Sequence, residues 1–340
     1  MKNNPTIIIS DLENSLDKIK SLLQKNELII FPTETVYGIG ASIYSDEAIH
    51  KIYKIKGRPQ DNPLIVHIAN EKQIHDLIID PPLIAKTLMD AFWPGPLTLV
   101  FKKSTKVSDL ITANLDTVAI RMPSHPVAKK LLTLINIPLC APSANFSGKP
   151  SGTTFESVLE DFHNKVAMIV QGEPSSIGIE STVLDISKRP YTILRPGAIS
   201  KEDIEAVLNE KVLTSFVNHA PQSPGMKYTH YKPYGDVVIL DGDAKAIQKY
   251  LLKYGSDQSV FIGATEICQT LSMNTIALGS LKSLDTIAQN LYRVLRQLDH
   301  LKIKTIYTHT VDRKGIGEAI MNRLEKAAEN HIVDLRKVSV

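Results

Sequence analysis

A break in the sequence pattern, about two thirds of the way along the chain, constrains the fold most. Residues 218–235 are rich in Pro, Gly, His and Tyr and have neither a helical nor a strand period. On both sides of this stretch, apolar strands alternate with amphipathic helices, which is the pattern of layered α/β domains. Because 340 residues also exceed what one hydrophobic core usually organises, the sequence predicts two domains.

The N-terminal pattern predicts an α/β domain over residues 1–205. Ser10 and Glu13 have capping-box spacing, which predicts a first helix over residues 11–25. A second helix over DEAIHKIYKIK should end at Gly57, and PTETVYGIG before it should be a loop. Apolar segments predict the strands ELIIFP, LIVHI, PLTLVFK, TVAIRM, VAMIV, STVLDI and YTILR. This pattern does not decide between a parallel and a mixed sheet.

The C-terminal pattern, over residues 236–340, is more regular. The segments DVVIL, SVFIG, TIAL and TIYTH predict strands, and the helices between them include AKAIQKYLLKYG and SLDTIAQNLYRVLRQLDHL. This alternation predicts a small parallel sheet with helices on its faces. Residues 206–235 would then be a linker between the two domains.

The linker contains SPGMKYTHYKP, residues 223–233. A tether that only spaces two domains is usually rich in Gly and Ser, or in Pro, and otherwise featureless. This stretch instead places tyrosines, a histidine and lysines between two prolines. We therefore expect its side chains to contact something.

Composition and charge narrow the class of protein. The 39 basic and 36 acidic residues give a net charge of +3, which excludes a charge-driven nucleic-acid coat protein but permits local basic pockets. The cysteines, Cys140 and Cys268, lie far apart without a CxxC partner, which argues for a reducing compartment and against a disulfide framework or a zinc site. The first apolar run is too short for a signal peptide, and no segment is long enough to span a membrane. We expect a cytoplasmic protein without membrane contact.

The segment KIKGRPQDNPL, residues 54–64, has two readings. Lys54, Lys56 and Arg58 could simply complement the negative end of a helix dipole. Alternatively, Gly57 permits close approach of a ligand while the cations hold an anion such as a triphosphate. The segment taken alone does not choose between these readings.

Polar side chains elsewhere are open to the same choice. The loop APSANFSGKPSGTT contains Ser143, Asn145 and Ser151 after an apolar strand, as in an ordinary turn or in a loop that cradles phosphate. Arg121 ends the strand TVAIRM and is either solvated, paired with an acid, or suited to a substrate carboxylate. His67, inside LIVHI, is either a core histidine or a base.

Several nucleotide and catalytic motifs are absent from the sequence. It contains no G-x-x-x-x-G-K-[ST] loop, no G-x-G-x-x-G after a strand and no G-x-S-x-G elbow. No His/Cys cluster has metal-ligand spacing, so no metal ligands are identified. A nucleotide-dependent enzyme with this sequence would bind its nucleotide in another way.

Taken together, the motifs resemble one family. PTETVYGIGAS, the Lys56-x-Arg58 segment with DNPLIVHI, TVAIRMP, the Ser143-x-Asn145 loop, GIESTVLD, LRPG and SPGMKYTHYKP are similar to those of threonylcarbamoyl-AMP synthases of the long form. The likeness is dense over residues 8–235 and looser beyond. It implies a YrdC-like catalytic domain with a twisted open sheet, joined to a smaller Rossmann-like parallel α/β domain.

The resemblance also implies a reaction. Such an enzyme is a nucleotidyltransferase that makes L-threonylcarbamoyl-AMP and pyrophosphate from L-threonine, bicarbonate and ATP, with Mg²⁺ assisting. Its product passes to a separate transferase that installs N6-threonylcarbamoyladenosine in tRNA.

The resemblance further implies roles for individual residues. Lys56 and Arg58 would be catalytic. The ATP-binding set would be Lys56, Arg58, Asn62, Thr117, Ser143, Asn145, Ser151, Arg195 and Tyr231. The threonine-binding set would be Thr35, His67, Arg121 and Ser181, with His67 as a candidate proton acceptor. The linker would act as a lid over the site, with Lys227 or Lys232 near phosphate.

Two other hypotheses stay open on the sequence. Lys54, Lys56, Arg58 and Arg121 could form a concave basic surface that binds an RNA backbone such as that of tRNA, without adenylate synthesis. The C-terminal domain could be a nucleotide sensor, a reading that rests on its α/β pattern alone.

Overall fold

The computed structural model describes residues 5–215 and 231–337. The chain divides into two compact units. The first comprises Met1–Ser147, Ser151–Ser176 and Glu180–Lys227. The second comprises Gly148–Pro150, Ile177–Ile179 and Tyr228–Val340. Of the predicted linker, the described residues 206–215 belong to the first unit and residues 231–235 to the second.

The described residues form helices and strands in alternation along the chain. The helices are α1 (Leu16–Gln24), α2 (Asp46–Lys56), α3 (Ile84–Phe92), α4 (Asp109–Thr112), α5 (Pro126–Ile135), α6 (Phe155–Phe162), α7 (Lys201–Leu208), α8 (Ala244–Tyr254), α9 (Thr265–Cys268), α10 (Leu284–His300) and α11 (Gly317–Ala327), with a 3₁₀ helix at Glu71–Ile74. The strands are β1 (Ile7–Ile9), β2 (Ile29–Phe31), β3 (Gly38–Ser42), β4 (Ile65–His67), β5 (Leu97–Lys102), β6 (Thr117–Arg121), β7 (Leu139–Cys140), β8 (Met168–Val170), β9 (Thr182–Asp185), β10 (Thr192–Arg195), β11 (Leu213–Thr214), β12 (Asp236–Asp241), β13 (Ser259–Ala264), β14 (Thr275–Gly279), β15 (Thr305–His309) and β16 (Ile332–Asp334).

The first unit is built on an 11-stranded sheet in the order β1-β8-β2-β3-β7-β4-β6-β5-β9-β10-β11. The sheet is mixed, since β4 is parallel to β6 whereas β5 and β6 are antiparallel. This answers the question that the sequence pattern left open and confirms the predicted α/β class.

Two sequence predictions for this unit are wrong in detail. The first helix begins at Leu16 and not at residue 11, because the Asp11 side chain accepts the backbone N–H groups of Glu13 and Asn14 and forms a local turn instead. The predicted loop PTETVYGIG also contains the start of β3. Glycine is rare in strands, but a Cβ at Gly40 would lie 2.8 Å from the Phe31 ring, so the close packing of β2 on β3 requires glycine there.

The C-terminal end of the first unit also differs from the sequence prediction. The predicted boundary at residue 205 falls inside α7. Beyond it, β11 pairs in parallel with β10, so part of the predicted linker belongs to the sheet. A strand of two residues has too little period to be recognised in a sequence.

The strands in the middle of this sheet bury one face against the main hydrophobic core. Val66 of β4, Leu99 of β5 and Ile120 of β6 all belong to this core, and helices such as α2 and α3 pack over it. Because side chains alternate along a strand, the intervening residues must face the other way. That opposite face carries the candidate site.

The second unit contains a five-stranded sheet in the order β14-β13-β15-β12-β16, and every paired strand is parallel. The prediction of a small parallel α/β domain is confirmed. The long helix α10 buries Ile287, Leu291, Val294 and Leu298, a spacing that places one apolar stripe toward the sheet. Across residues 5–215 and 231–337, no helix combines the length and apolar character that crossing a bilayer requires.

Candidate functional site

A short apolar patch marks the face of the first sheet that carries the candidate site. The patch is a separate buried cluster on five neighbouring strands, made of Ile65, Val100, Ala119, Val183 and Leu194. We call the surface of the sheet on this side the site face. By alternation, it also carries predicted site residues: His67 lies two residues after Ile65, and Thr117 and Arg121 lie on either side of Ala119.

Arg121 is the centre of a polar cluster at the C-terminal end of β6. Its side chain is 3% exposed and pairs with Glu34, with 2.5 Å between Nη2 and Oε1. Nη1 donates to Thr35 Oγ1 at 2.7 Å, and Nε donates to the Gly95 carbonyl at 3.1 Å. Thr35 Oγ1 in turn lies 2.9 Å from Thr33 Oγ1. The structure thus brings Thr35 and Arg121 of the predicted threonine set together.

His67 is placed beside Arg121, because the two residues are register partners in the parallel pair β4–β6. Its Nδ1 donates to the Ile65 carbonyl at 3.1 Å, which leaves Nε2 as an acceptor. Burial, and then the positive charge of Arg121, lower the pKa of His67 to about 3. A neutral imidazole with so low a pKa is a weak base, so the geometry favours a hydrogen-bond acceptor over the predicted proton acceptor.

Ser181 completes the predicted threonine set. It precedes β9, and its Oγ lies 2.7 Å from Thr98 Oγ1 of the neighbouring β5. Arg195, predicted as an ATP contact, donates from Nη2 to Ser181 Oγ at 3.1 Å and from Nε to the Ser181 carbonyl at 3.0 Å. A register shift between Ile193 and Arg195 interrupts the alternation of β10. Arg195 therefore lies where the predicted threonine and nucleotide sets meet.

Lys56 is buried at the last turn of α2. Its ammonium donates to the carbonyls of Ser143 at 2.5 Å and Asn145 at 2.8 Å, so it ties the helix end to the loop after β7. Gly57 follows in the left-handed conformation, with φ of 62°. Burial, and then the charge of Arg58, lower the pKa of Lys56 well below its ordinary value. An anion bound here would stabilise the charged form of this lysine.

The loop after β7 holds three more of the predicted ATP contacts. Ser143 Oγ donates to Asn145 Oδ1 at 2.6 Å, and Ser143 also forms an isolated bridge with Gly38 at the start of β3. Further along, Ser151 Oγ donates to Glu180 Oε1 at 2.7 Å. Ser151 is therefore fixed to the residue that precedes Ser181.

Asn62 is fully buried in the loop between α2 and β4. Arg58 Nη2 donates to its main-chain carbonyl at 2.9 Å. Its side-chain Oδ1 and Nδ2 have no hydrogen-bond partner among residues 5–215 and 231–337. A buried amide without a partner is unfavourable by about 1–3 kcal/mol, so this side chain is better explained as part of a binding site than as part of the core.

Thr117 and Arg121 show the extent of the site face. They are the first and last residues of β6 and lie four positions apart, which corresponds to about 13 Å along a strand. The loop between β2 and β3 reaches both ends of this face. Its Thr35 contacts Arg121 at one end. Its Tyr37 carbonyl accepts the Ala144 N–H, at 2.7 Å, from the loop after β7 at the other end. The predicted residues of the first unit thus converge on one face and its bordering loops.

Sequence reasoning missed Glu34 and Thr98. Glu34 lies in the PTETVYG segment, between Thr33 and the predicted site residue Thr35. Its position next to Thr35 was the only signal in the sequence that could have identified it. Thr98 gave none, because a threonine in an apolar strand is common. Only the pairing of β5 with β9 places it next to Ser181.

The RNA-binding alternative is not supported by this site. Lys56, Arg58 and Arg121 are 4%, 9% and 3% exposed and are engaged by main-chain carbonyls or by Glu34. A phosphate backbone is bound through accessible cations. Of the four cations invoked for RNA, Lys54 alone is exposed.

Tyr231 and Lys232 are the described part of the predicted lid, and they belong to the second unit. The Tyr231 ring is buried and stacks on Tyr292 of α10, with 5.1 Å between ring centroids. Lys232 Nζ pairs with Glu329 at 2.6 Å. Lys227 and the rest of residues 216–230 lie outside the described residues, so the lid and the nucleotide contact of Tyr231 stay predictions.

The second unit has a cavity of about 590 Å³ at the C-terminal ends of its strands. Its lining includes the carboxylates of Asp243, Glu266 and Asp312 and no lysine or arginine. Asp243 already accepts the Ala246 N–H at the start of α8, where a bound phosphate would otherwise lie. These features argue against the nucleotide-sensor hypothesis for this crevice.

Comparison with known proteins identifies the family of both parts of the chain. Residues 21–197 match the sequence profile of Sua5, YciO and YrdC proteins, which is described as telomere recombination. Residues 199–329 match the profile described as the C-terminal domain of threonylcarbamoyl-AMP synthase. The chain belongs to the threonylcarbamoyl-AMP synthase family.

Similar full-length proteins support this membership. The threonylcarbamoyl-AMP synthase of Bacillus subtilis (strain 168) is 44% identical over 333 residues, which cover 96% of each chain. That of Pyrococcus abyssi is 41% identical over 320 residues, covering 92% of this chain and 93% of the other. A crystal structure of P. abyssi Sua5 complexed with L-threonine has a TM-score of 0.89 at 38% identity and covers 97% of this chain and 98% of the other.

Proposed function

We propose that this protein forms L-threonylcarbamoyl-AMP and pyrophosphate from L-threonine, bicarbonate and ATP. The single observation that carries the proposal is the site face, where buried cations and hydroxyls gather over one apolar patch. Thr117 of the predicted ATP set and Arg121 of the predicted threonine set lie about 13 Å apart along β6, so the two substrates would occupy neighbouring parts of this face. Membership of the threonylcarbamoyl-AMP synthase family supports the same reaction.

The end of the site face around Arg121 suits threonine. The guanidinium of Arg121 would bind the substrate carboxylate through two parallel hydrogen bonds. The hydroxyls of Thr35 and Ser181 and the acceptor Nε2 of His67 would bind the substrate hydroxyl. A buried site that hydrogen-bonds a substrate hydroxyl discriminates strongly against analogues that lack it.

The other end suits the nucleotide. A carbamate oxygen attacks the α-phosphorus, a new O–P bond forms, and the bond from the α-phosphorus to the bridging oxygen breaks, which releases pyrophosphate. Because one anion approaches another, the site must provide concentrated positive charge. Lys56 and Arg58 would supply it at this end, and Arg195 would add to it where the two predicted sets meet. The unpaired amide of Asn62 would gain partners from ATP.

Magnesium would enter with the nucleotide. Among the described residues, no group of three or more His, Cys, Asp or Glu side chains could hold a metal ion. Mg²⁺ in such sites is commonly held by substrate phosphates, water and one or two carboxylates, so it does not require a protein cluster of three ligands. When bound, the ion neutralises phosphate charge during the transfer.

The product would be a mixed anhydride that water destroys. It would therefore be passed in the cytoplasm to a separate transferase that modifies tRNA. The linker would limit hydrolysis as a lid. Release of free AMP by a protein lacking residues 220–340 would support this part of the proposal, and an undiminished yield of adenylate would contradict it.

Incubation with ATP, labelled bicarbonate and threonine, serine or alanine tests the reaction. We expect pyrophosphate release that depends on threonine, with label in an adenylate. Lys56→Met should lower the rate by about 100-fold, as loss of one electrostatic contact to the transition state does. Lys54→Met, on the same helix but exposed, is the matched control and should keep full activity. Pyrophosphate release independent of the amino acid would contradict the proposal.

A further inference from the structure

Glu34 is a buried carboxylate that the function proposed above leaves without a role. Its side chain is 5% exposed, and Oε1 lies 2.5 Å from Arg121 Nη2. Arg121 and the backbone N–H groups of Ser124 and of Glu34 itself contact this carboxylate, and no other donor among residues 5–215 and 231–337 reaches its oxygens. Since buried carboxylates normally have several lone pairs satisfied, these oxygens point to a ligand that donates to them.

We propose that Glu34 binds the amino group of the amino-acid substrate and takes the proton that this group must lose before it forms a carbamate. The inference rests on the proposed function and adds a catalytic residue to it.

The geometry of the Glu34–Arg121 pair fits an amino acid. The amino and carboxylate groups of an α-amino acid are attached to the same carbon, so a receptor must present a cation and an anion side by side. Arg121 is held by Thr35 and Gly95, and each of its terminal nitrogens still has a second N–H for an incoming carboxylate. An amino group of the same ligand would then be directed toward Glu34.

Other titratable groups near Glu34 cannot replace it. His67 and His125 interact electrostatically with Glu34, but burial lowers the pKa of both, to about 3 for His67. Both are therefore neutral at neutral pH. Among these neighbours, Arg121 is the cation that balances Glu34, and Glu34 is the anion available to an ammonium group.

Proton transfer to Glu34 prepares the substrate amine for attack on bicarbonate. A proton passes from the substrate ammonium to a Glu34 oxygen, which leaves a neutral amine and a neutral carboxyl group. The amine nitrogen attacks the carbon of bicarbonate, and an N–C bond forms. The C–OH bond breaks, and the departing hydroxide takes a second proton from the nitrogen and leaves as water. Glu34 later returns its proton to solvent.

Substrate binding would itself make Glu34 a better base. In the ligand-free pair, burial raises the pKa of Glu34, but the charge and hydrogen bond of Arg121 outweigh burial and hold the pKa below its ordinary value. A substrate carboxylate on Arg121 adds a second anion, whereas burial persists, so the pKa of Glu34 rises. The carboxylate thus gains proton affinity at the step that needs it.

The test compares two ligands that differ only in the amino group. Binding of L-threonine and of (R)-3-hydroxybutanoate, which is threonine without its amine, is measured by calorimetry for the wild type and for Glu34→Gln. We expect Glu34→Gln to bind threonine about tenfold or more weakly. It should bind the hydroxy acid as well or more tightly, because Glu34 no longer competes for Arg121. Parallel weakening of both ligands would mean that Glu34 only positions Arg121, and would overturn the inference.

Turnover gives a second readout. Pyrophosphate formation by Glu34→Gln should rise about tenfold per pH unit above neutrality, because only substrate that is already deprotonated reacts. The wild type should respond less steeply, and equal slopes would overturn the inference. Glu202→Gln, which removes the same charge from an exposed position, is the control and should match the wild type.

Two further outcomes separate this inference from the proposed function. If Glu34→Gln does not fold, Glu34→Asp keeps the charge and should keep the preference for threonine over the hydroxy acid; loss of that preference would overturn the inference. A wild type that binds neither ligand and releases no pyrophosphate would overturn both proposals. A wild type that works, beside a Glu34→Gln variant that works equally well, would overturn only this one.

Discussion

Replacement of Arg121 by methionine is predicted to destabilise the first unit strongly. The Arg121 and Glu34 side chains are 3% and 5% exposed and lie 2.5 Å apart. Removal of one partner from such a buried pair leaves an uncompensated charge and costs about 3–5 kcal/mol, whereas an exposed pair contributes about 0–1 kcal/mol. Arg121→Met should therefore lower the free energy of unfolding by about 3–5 kcal/mol. Arg121→Met combined with Glu34→Gln should recover part of the loss, because no buried charge remains.

Urea unfolding followed by tryptophan fluorescence measures the loss of stability of the first unit. Trp93 is the only tryptophan in the chain, it lies in the first unit, and its indole N–H donates to the Leu97 carbonyl at 2.6 Å. Its fluorescence therefore reports on the first unit. A change in midpoint at constant slope gives the difference in stability.

The loss of unfolding free energy caused by Arg121→Met should depend on pH. With Arg121 present, the pKa of Glu34 lies below its ordinary value, so this carboxylate contributes stability above its unfolded pKa of about 4.3 and loses it as the pH falls through the folded pKa. Without Arg121, burial alone raises the pKa of Glu34, and the ionised form destabilises the variant at neutral pH. The difference between the two proteins should thus be largest near pH 7 and shrink toward about pH 4. A difference in unfolding free energy below about 1 kcal/mol between the wild type and Arg121→Met, or a difference that does not change with pH, would refute this account.

Three further predictions concern the site. Asn62→Ala should keep nearly full stability, because the amide has no partner among the described residues, yet raise the KM for ATP by about tenfold; a large loss of thermal stability would show a structural role instead. ATP binding should take up protons at pH values below the ordinary pKa of lysine, because the bound phosphates restore the lowered pKa of Lys56 toward that value; calorimetry in buffers of different ionisation enthalpy measures this, and no uptake would contradict it. His67→Gln should leave the pH profile of turnover unchanged, since the pKa of His67 is about 3; a lost acidic limb above pH 5 would restore the base hypothesis.

Much of the fold could be read from local pattern. The helices Pro126–Ile135 and Ile84–Phe92 follow the apolar period closely, as do the strands around Val66 and Ile120. The start of the first helix was misplaced because the side chain of Asp11 forms a competing turn. Strand β3 was missed because it contains glycine, which is rare in strands. The close approach of Phe31 requires glycine at Gly40, and such a tertiary contact cannot be inferred from local propensity.

The candidate site shows the same division. Its residues could be named from motifs, since each lies in a short segment typical of the family. Glu34 was overlooked beside Thr35, because a carboxylate in a loop is unremarkable until a buried arginine is found next to it.

The sequence by itself determined the α/β class, the two-domain organisation and the chemical types of the side chains, because these depend on local period and on residue identity. Tertiary structure alone decided that the sheet is mixed, that Arg195 meets Ser181 and that Glu34 meets Arg121. Such contacts join residues far apart in the chain, as Lys56 and Asn145 are at 89 positions, and strand order and register decide which of them form.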